Sequence, residues 1–349
     1  MQLIKLLRKL CLVVASSATF VAFSSSAVAE QVNIYGWPDE YPQETLDAFT
    51  DATGIDVIFD TFGSNEALIA KLEAGAAGYD LVGPSQYAVQ ILAKKSLIQP
   101  LDHSQLVNYN NIKSVFREVS YDPGLKWHIP VFWGTTGLAY NKDCVDEPIT
   151  SWKSLWDEKY KGRIYMLDNM LAAYIAGLQV NGFSANSSDK AEIEQGTQSL
   201  LEQKPLLAGY NASNFADLVS SGEACIVQSW NGSVVNAMKD NPKVVFVLPD
   251  EGGTMWIDGL ALAKGAPNPG NAYKFIDFIL QPKVAARMTE ISSYATSIDG
   301  ARELLPPAIA NSSAIYPPDE RLANADFILD VGEAMKYYQD GWTRVKAAQ

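Results

Sequence analysis

Residues Ile129 to Asn141 read IPVFWGTTGLAYN, an apolar, β-branched and aromatic run too long to belong to one compact sheet edge. It reads as a single strand that leaves one lobe of the molecule and enters another. Upstream, an apolar run from Val32 to Tyr35 leads into the turn-rich GWPDEYP; Pro42 stands where a helix starts, Leu46 and Phe49 give it an apolar face, and Gly54 is placed to end it. A strand at Ile55 to Phe59, a helix from about Asn65 to Ala74 with Leu68, Ile69 and Leu72 at helical spacing, and a strand around Tyr79 to Val82 follow. Such alternation predicts a parallel sheet with right-handed crossovers. Downstream of the long strand the pattern resumes, with strands at Arg163 to Leu167 and Ala224 to Gln228 and helices at Ala172 to Gln179 and Lys190 to Glu202. After Asp258 the run GLALA and a helix at Asn271 to Leu280 return to the first lobe. Two crossings make a hinge. The expected fold is therefore α/β and two-lobed, each lobe a mostly parallel sheet flanked by helices, with residues 30–135 and 258–306 in the first lobe and 136–257 and 307–349 in the second.

The start of the chain has a separate logic. Lys5, Arg8 and Lys9 precede an apolar run from Leu10 to Phe23 and the small residues Ala27-Val28-Ala29, the order of a secretory signal peptide over residues 1–29. The run is broken by serines and falls short of the roughly 20 apolar residues of a membrane span. The whole chain carries 27 basic and 40 acidic residues, and loss of the leader's three basic residues moves the net charge from −13 to −16. That balance argues against nucleic acid as a partner and suits a cation. A monomer is expected. About 320 mature residues exceed one ordinary core and predict two domains. Of the three cysteines only Cys144 and Cys225 lie beyond the leader; an oxidising compartment allows a single disulfide between them, but with no disulfide framework two buried free thiols are expected ahead of it.

Open α/β sheets hold ligands in the loops after the strands' carboxyl ends. Here those loops are GWPDEY, GPSQY, LDN at Asp168, SWNGS at Trp230 and WIDG at Trp256, rich in Trp, Tyr and Asp. The usual catalytic constellations are absent: no G-x-S-x-G, P-loop, G-x-G-x-x-G, HExxH or C-x-x-C. Of the two histidines, His103 and His128, neither stands near a nucleophile in sequence. No enzyme activity, cofactor or metal is expected. Sixteen tyrosines keep a ferric-ion binder open as a rival, although the one Tyr-Tyr pair, Tyr337-Tyr338, falls in a terminal helix.

Taken in order, IYGW, ATGIDV, SNEALIAKLEAGAAGYDLVGPSQY, IPVFWGTTGLAYN, SWKSLWDEKYKGRI, SWNGS, EGGTMWIDGLA, Tyr294 and Asp330-Val331-Gly332 resemble the periplasmic spermidine/putrescine-binding proteins of polyamine ABC importers, which are type II solute-binding proteins. The resemblance runs from Val32 to about Tyr338. It implies a periplasmic protein that binds a small cationic amine between its lobes and delivers it to an inner-membrane ABC permease. It also implies a cage in which Trp37, Trp230, Trp256 and Tyr294 flank the ligand, Ser85 and Tyr87 line it, and Asp258 holds an amine. The physics agrees, since a cation over an aromatic face gains about 0.5 to 2 kcal/mol and a buried carboxylate needs a cation or several donors.

Departures from the family bear on the ligand. Its second-lobe carboxylate pair aligns with Asn169 and Ala172, with Asp168 one residue away; a late glutamine becomes Ile328; and Pro38 and Glu40 replace a hydroxyl residue and a tyrosine. Two expectations follow. Either Asp168, Asp39 or Glu40 replaces the missing carboxylates and a polyamine binds, or the site takes a smaller cation such as guanidine, a quaternary amine or γ-aminobutyrate.

Overall fold

The computed structural model describes residues 30–38 and 40–348; the leader and Asp39 lie outside them. The first half runs β1 (Gln31–Gly36), α1 (Gln43–Thr53), β2 (Asp56–Thr61), α2 (Asn65–Glu73), β3 (Leu81–Val82), α3 (Gln86–Lys94) and α4 (Ser114–Arg117), then β4 (Ile129–Asn141). Next come β5 (Ile164–Met166), α5 (Met170–Gln179), α6 (Lys190–Gln203), β6 (Leu207–Tyr210), α7 (Phe215–Ser221), β7 (Ile226–Trp230), α8 (Asn231–Asp240) and β8 (Val244–Val247). The chain closes with β9 (Thr254–Leu262), α9 (Pro269–Ile279), α10 (Pro282–Ser292), β10 (Ala295–Thr296), α11 (Pro307–Ala310), α12 (Asp319–Leu322), β11 (Asp326–Phe327) and α13 (Met335–Ala347).

β4 is one strand of 13 residues, and every one of them is buried. Its first half pairs antiparallel with β9 and β10, and its second half with β7 and β8. The strand order β2-β1-β3-β9-β4-β7-β5-β6 therefore passes through both lobes. Within the lobes β1 runs parallel to β2 and β3, and β5 parallel to β6 and β7; the antiparallel pairs all involve β4 or β9. A strand buried on both faces needs the apolar continuity that IPVFWGTTGLAYN has.

Two apolar cores form around these sheets. One gathers Ile34, Phe49, Leu81, Phe132, Leu260 and Phe275, the other Leu138, Trp152, Tyr174, Ile226 and Tyr338. Ile309, Ala314, Ile315 and Tyr316 pack in the first of them. α13 then returns to lie against α5 and α6 of the second lobe, Tyr338 donating its hydroxyl to the Ser187 carbonyl. The free-thiol expectation is corrected. Cys144, just past β4, and Cys225, just before β7, are disulfide-bonded with their Cα atoms 5.7 Å apart. Antiparallel pairing brings those strand ends together, since Asn141 N–H donates to Cys225 C=O, and sequence spacing carries no sign of that. Among the described residues no helix is long and apolar enough to cross a membrane.

Candidate functional site

A cavity of about 590 Å³ opens between the lobes, within the range of small-molecule sites. From the first lobe it is walled by the loop after β1, with Trp37, Pro38 and Glu40, and by Ser85 and Tyr87 at the start of α3. The second lobe contributes Asn169, Leu171 and Ala172 of the β5–α5 junction, Phe215 and Asp217 of α7, and Trp230 at the end of β7. Trp256 and Asp258 of β9 and Tyr294 complete it. The structure thus brings together nine of the residues singled out from sequence: Trp37, Glu40, Ser85, Tyr87, Asn169, Trp230, Trp256, Asp258 and Tyr294. Asp168 is not among the lining residues. Its carboxylate pairs with Lys346 of α13 at 2.7 Å, a partner far away in sequence. Asn169 does line the cavity, with its amide oxygen occupied in capping α5 by accepting from Ala172 N–H at 3.0 Å.

The aromatic wall is held by close backbone approach. The Trp256 ring lies so near Gly134 of β4 that a Cβ there would stand 2.3 Å from it, and the Tyr294 ring likewise would be 2.1 Å from a Cβ on Gly232. Any side chain at either position would displace a wall residue. Trp256 and Tyr294 meet edge-on at 5.1 Å, and the Ser233 hydroxyl shares a hydrogen bond with that of Tyr294 at 3.0 Å. In the second lobe Phe215 edges onto Trp230 at 5.8 Å, and in the first Phe62 edges onto Trp37 at 4.6 Å.

Polar groups not anticipated from sequence fix this geometry. Gln86 accepts from Ile257 N–H at 2.9 Å, clamping β9 between Trp256 and Asp258. Asn65 and Ser85 bond reciprocally at 2.9 and 3.0 Å. Asn231 accepts from Thr135 N–H at 3.0 Å and donates to Ala314 C=O at 2.7 Å, locking the turn after Trp230. Single amides carry no pattern, so nothing in the sequence separates these three from surface ones.

The charge is one-sided. Among the described lining residues Glu40, Asp217 and Asp258 are acidic, and none is Lys, Arg or His. Glu40 is 3% and Asp258 7% exposed, and their carboxyl groups hydrogen-bond one another, with Ser85 as a further partner of Asp258. Asp258 Oδ1 is nonetheless buried with no hydrogen-bond partner among the described residues. Burial holds the Asp258 carboxyl above the usual range, and the hydrogen bonds from Glu40 and Ser85 only partly offset it. Tyr41 is pushed up by burial and then by Glu40 and Asp258; burial, then Glu66, raises Tyr87. Tyr121 likewise feels Asp258 after burial and Asp122. Two carboxyl groups in contact and out of water repel one another when both are charged, a cost that a bound cation would relieve.

That arrangement has a pH signature. An acid raised in the folded state holds its proton more tightly folded than unfolded, so stability is greatest below the ordinary value of 3.8 and falls as pH rises from there through the folded value. Thermal unfolding of the ligand-free protein from pH 4 upward should show this loss, and Asp258→Asn should lack it. Identical profiles for the two proteins would refute the cost assigned to the buried charge.

Three comparisons bear on this geometry. The profile of the bacterial extracellular solute-binding protein family matches residues 44–317. The spermidine/putrescine-binding periplasmic protein of Escherichia coli K12 is 36% identical over 330 residues, 93% of this chain and 95% of that one. The putrescine/cadaverine-binding protein of Pseudomonas aeruginosa is 29% identical, covering 98% of this chain and 99% of its own. Among solved structures, the spermidine/putrescine ABC transporter substrate-binding protein PotD of Streptococcus pneumoniae superposes with a TM-score of 0.80 at 32% identity, over 91% of this chain and 99% of that one.

Proposed function

The chain belongs to the bacterial extracellular solute-binding proteins, and from that premise we propose that it is the polyamine-binding component of an ABC importer, working in the periplasm. The observation that carries the ligand class is the cleft itself: three carboxyl groups, seven aromatic side chains and no basic side chain among the described lining residues. A polyamine fits that chemistry, its methylene chain lying along Trp37, Trp230, Trp256 and Tyr294 and one ammonium at Glu40 and Asp258. Ser85 and Tyr87 order the first-lobe side, and Asn169 borders the second.

Capture needs no chemistry on the ligand. Walls from both lobes mean that a bound amine gains contacts when they approach, so the ligand favours a closed state by its extra affinity for it. An inner-membrane permease then recognises the closed surface. Delivery through residues 1–29 as a cleaved leader, and action as a monomer, complete the reading.

Calorimetric titration of the mature protein with putrescine, spermidine, guanidine, choline, γ-aminobutyrate and ferric ion tests it. Putrescine or spermidine should bind in the micromolar range or tighter, about 8 kcal/mol or more. Heat from iron alone would overturn the ligand class, and choline or guanidine binding above both polyamines would replace it with a smaller cation.

A further inference from the structure

A diamine has two charged ends, and Glu40 with Asp258 serve only one. Their carboxyl groups touch, so they form a single anionic point on the first-lobe side of the cleft. On the second-lobe side the expected acceptor is missing. Ala172 is apolar, the Asn169 oxygen is taken by the α5 backbone, Asp168 is neutralised by Lys346, and Ile328 borders the cavity with a hydrocarbon side chain. An ammonium left among those groups would forfeit its hydration without a charged partner.

We propose that Asp217 of α7 receives the second ammonium of the diamine whose first is held by Glu40 and Asp258. Asp217 is the one acidic side chain that the second lobe presents among the described lining residues. It is exposed, and among the described residues it has neither an ion pair nor a hydrogen bond. Phe215, two residues earlier in α7, lies edge-on to Trp230, and all three residues line the same cavity. At the other end, the buried Oδ1 of Asp258, without a hydrogen-bond partner among the described residues, marks where a donor from the ligand is wanted. α7 packs against β7 and α8, which ties Asp217 to the same rigid unit as Trp230. The second-lobe acid has thus moved from α5 to α7, and the diamine would span the cleft.

This assignment rests on the polyamine reading, and ligand charge separates the two. Putrescine carries two ammonium groups and 1-aminobutane one, on the same four-carbon chain. Asp217→Asn should weaken putrescine about tenfold, the effect of roughly 1.4 kcal/mol, and leave 1-aminobutane unchanged. A purely structural role for Asp217 would lower both affinities together, and that result, or unchanged putrescine binding, overturns the proposal. Should Asp217→Asn fold poorly, Asp217→Ser gives the same comparison. If the unsubstituted protein binds neither amine, the polyamine reading falls first and this assignment with it.

Discussion

Asp258→Asn should abolish most amine binding while leaving the ligand-free protein as stable as before, or more so. Removing one partner of a buried, hydrogen-bonded charge pair costs about 2 to 5 kcal/mol in binding. The substitution also turns a proton acceptor towards the cation into a group that presents N–H donors on one side. A loss of about a hundredfold or more, near 3 kcal/mol, follows. Stability moves the other way, because without ligand the charged carboxylate faces Glu40 and has an oxygen without a partner among the described residues, and a neutral amide of the same shape ends that repulsion. Calorimetry for affinity and thermal unfolding for stability separate the two effects. Affinity within threefold of the unsubstituted protein would remove Asp258 from the site.

The second large effect concerns stability alone. The bond between Cys144 and Cys225 spans 81 residues, and loop-closure entropy over that length gives about 4.5 kcal/mol of stabilisation through the unfolded chain. Replacing both cysteines by serine, or reducing the bond, should lower the unfolding free energy by about 2 to 5 kcal/mol. Putrescine affinity should hardly change. The bond joins β4 and β7 at the Tyr140–Ile226 end of their ladder, and the cleft lies at the Thr136–Trp230 end. Unfolding midpoints that coincide with and without reductant would show the bond to be energetically idle.

What could be read from the sequence follows from which interactions are local. The 13-residue hinge strand, the helices with Leu46 and Phe49 or Leu68 and Leu72 on one face, and the aromatic segments at the ends of β1, β3 and β7 all rest on spacing within one segment, and the structure has them, whereas WIDG, expected as a loop, lies inside β9. What depended on distant segments did not show. Asp168 stands one residue from a plausible ligand position, yet its fate is set by Lys346, 178 residues on. The place of Asp217 on the cavity wall carries no sequence signal, because α7 has seven residues, too few for a helical period to declare itself. The disulfide escaped for a related reason: two cysteines carry no framework, and only the antiparallel register of β4 and β7 makes them neighbours.

The continuity of β4 through both sheets, with β9 alongside it, limits how the lobes can move. Neither half can swing on a slack tether; the whole ribbon must twist like a leaf spring, keeping its ladder of backbone bonds throughout. Amide protons at its centre, around Phe132 to Thr136, should therefore exchange with deuterium among the slowest in the molecule when the cleft is empty, and more slowly still when ligand binding stabilises the folded state.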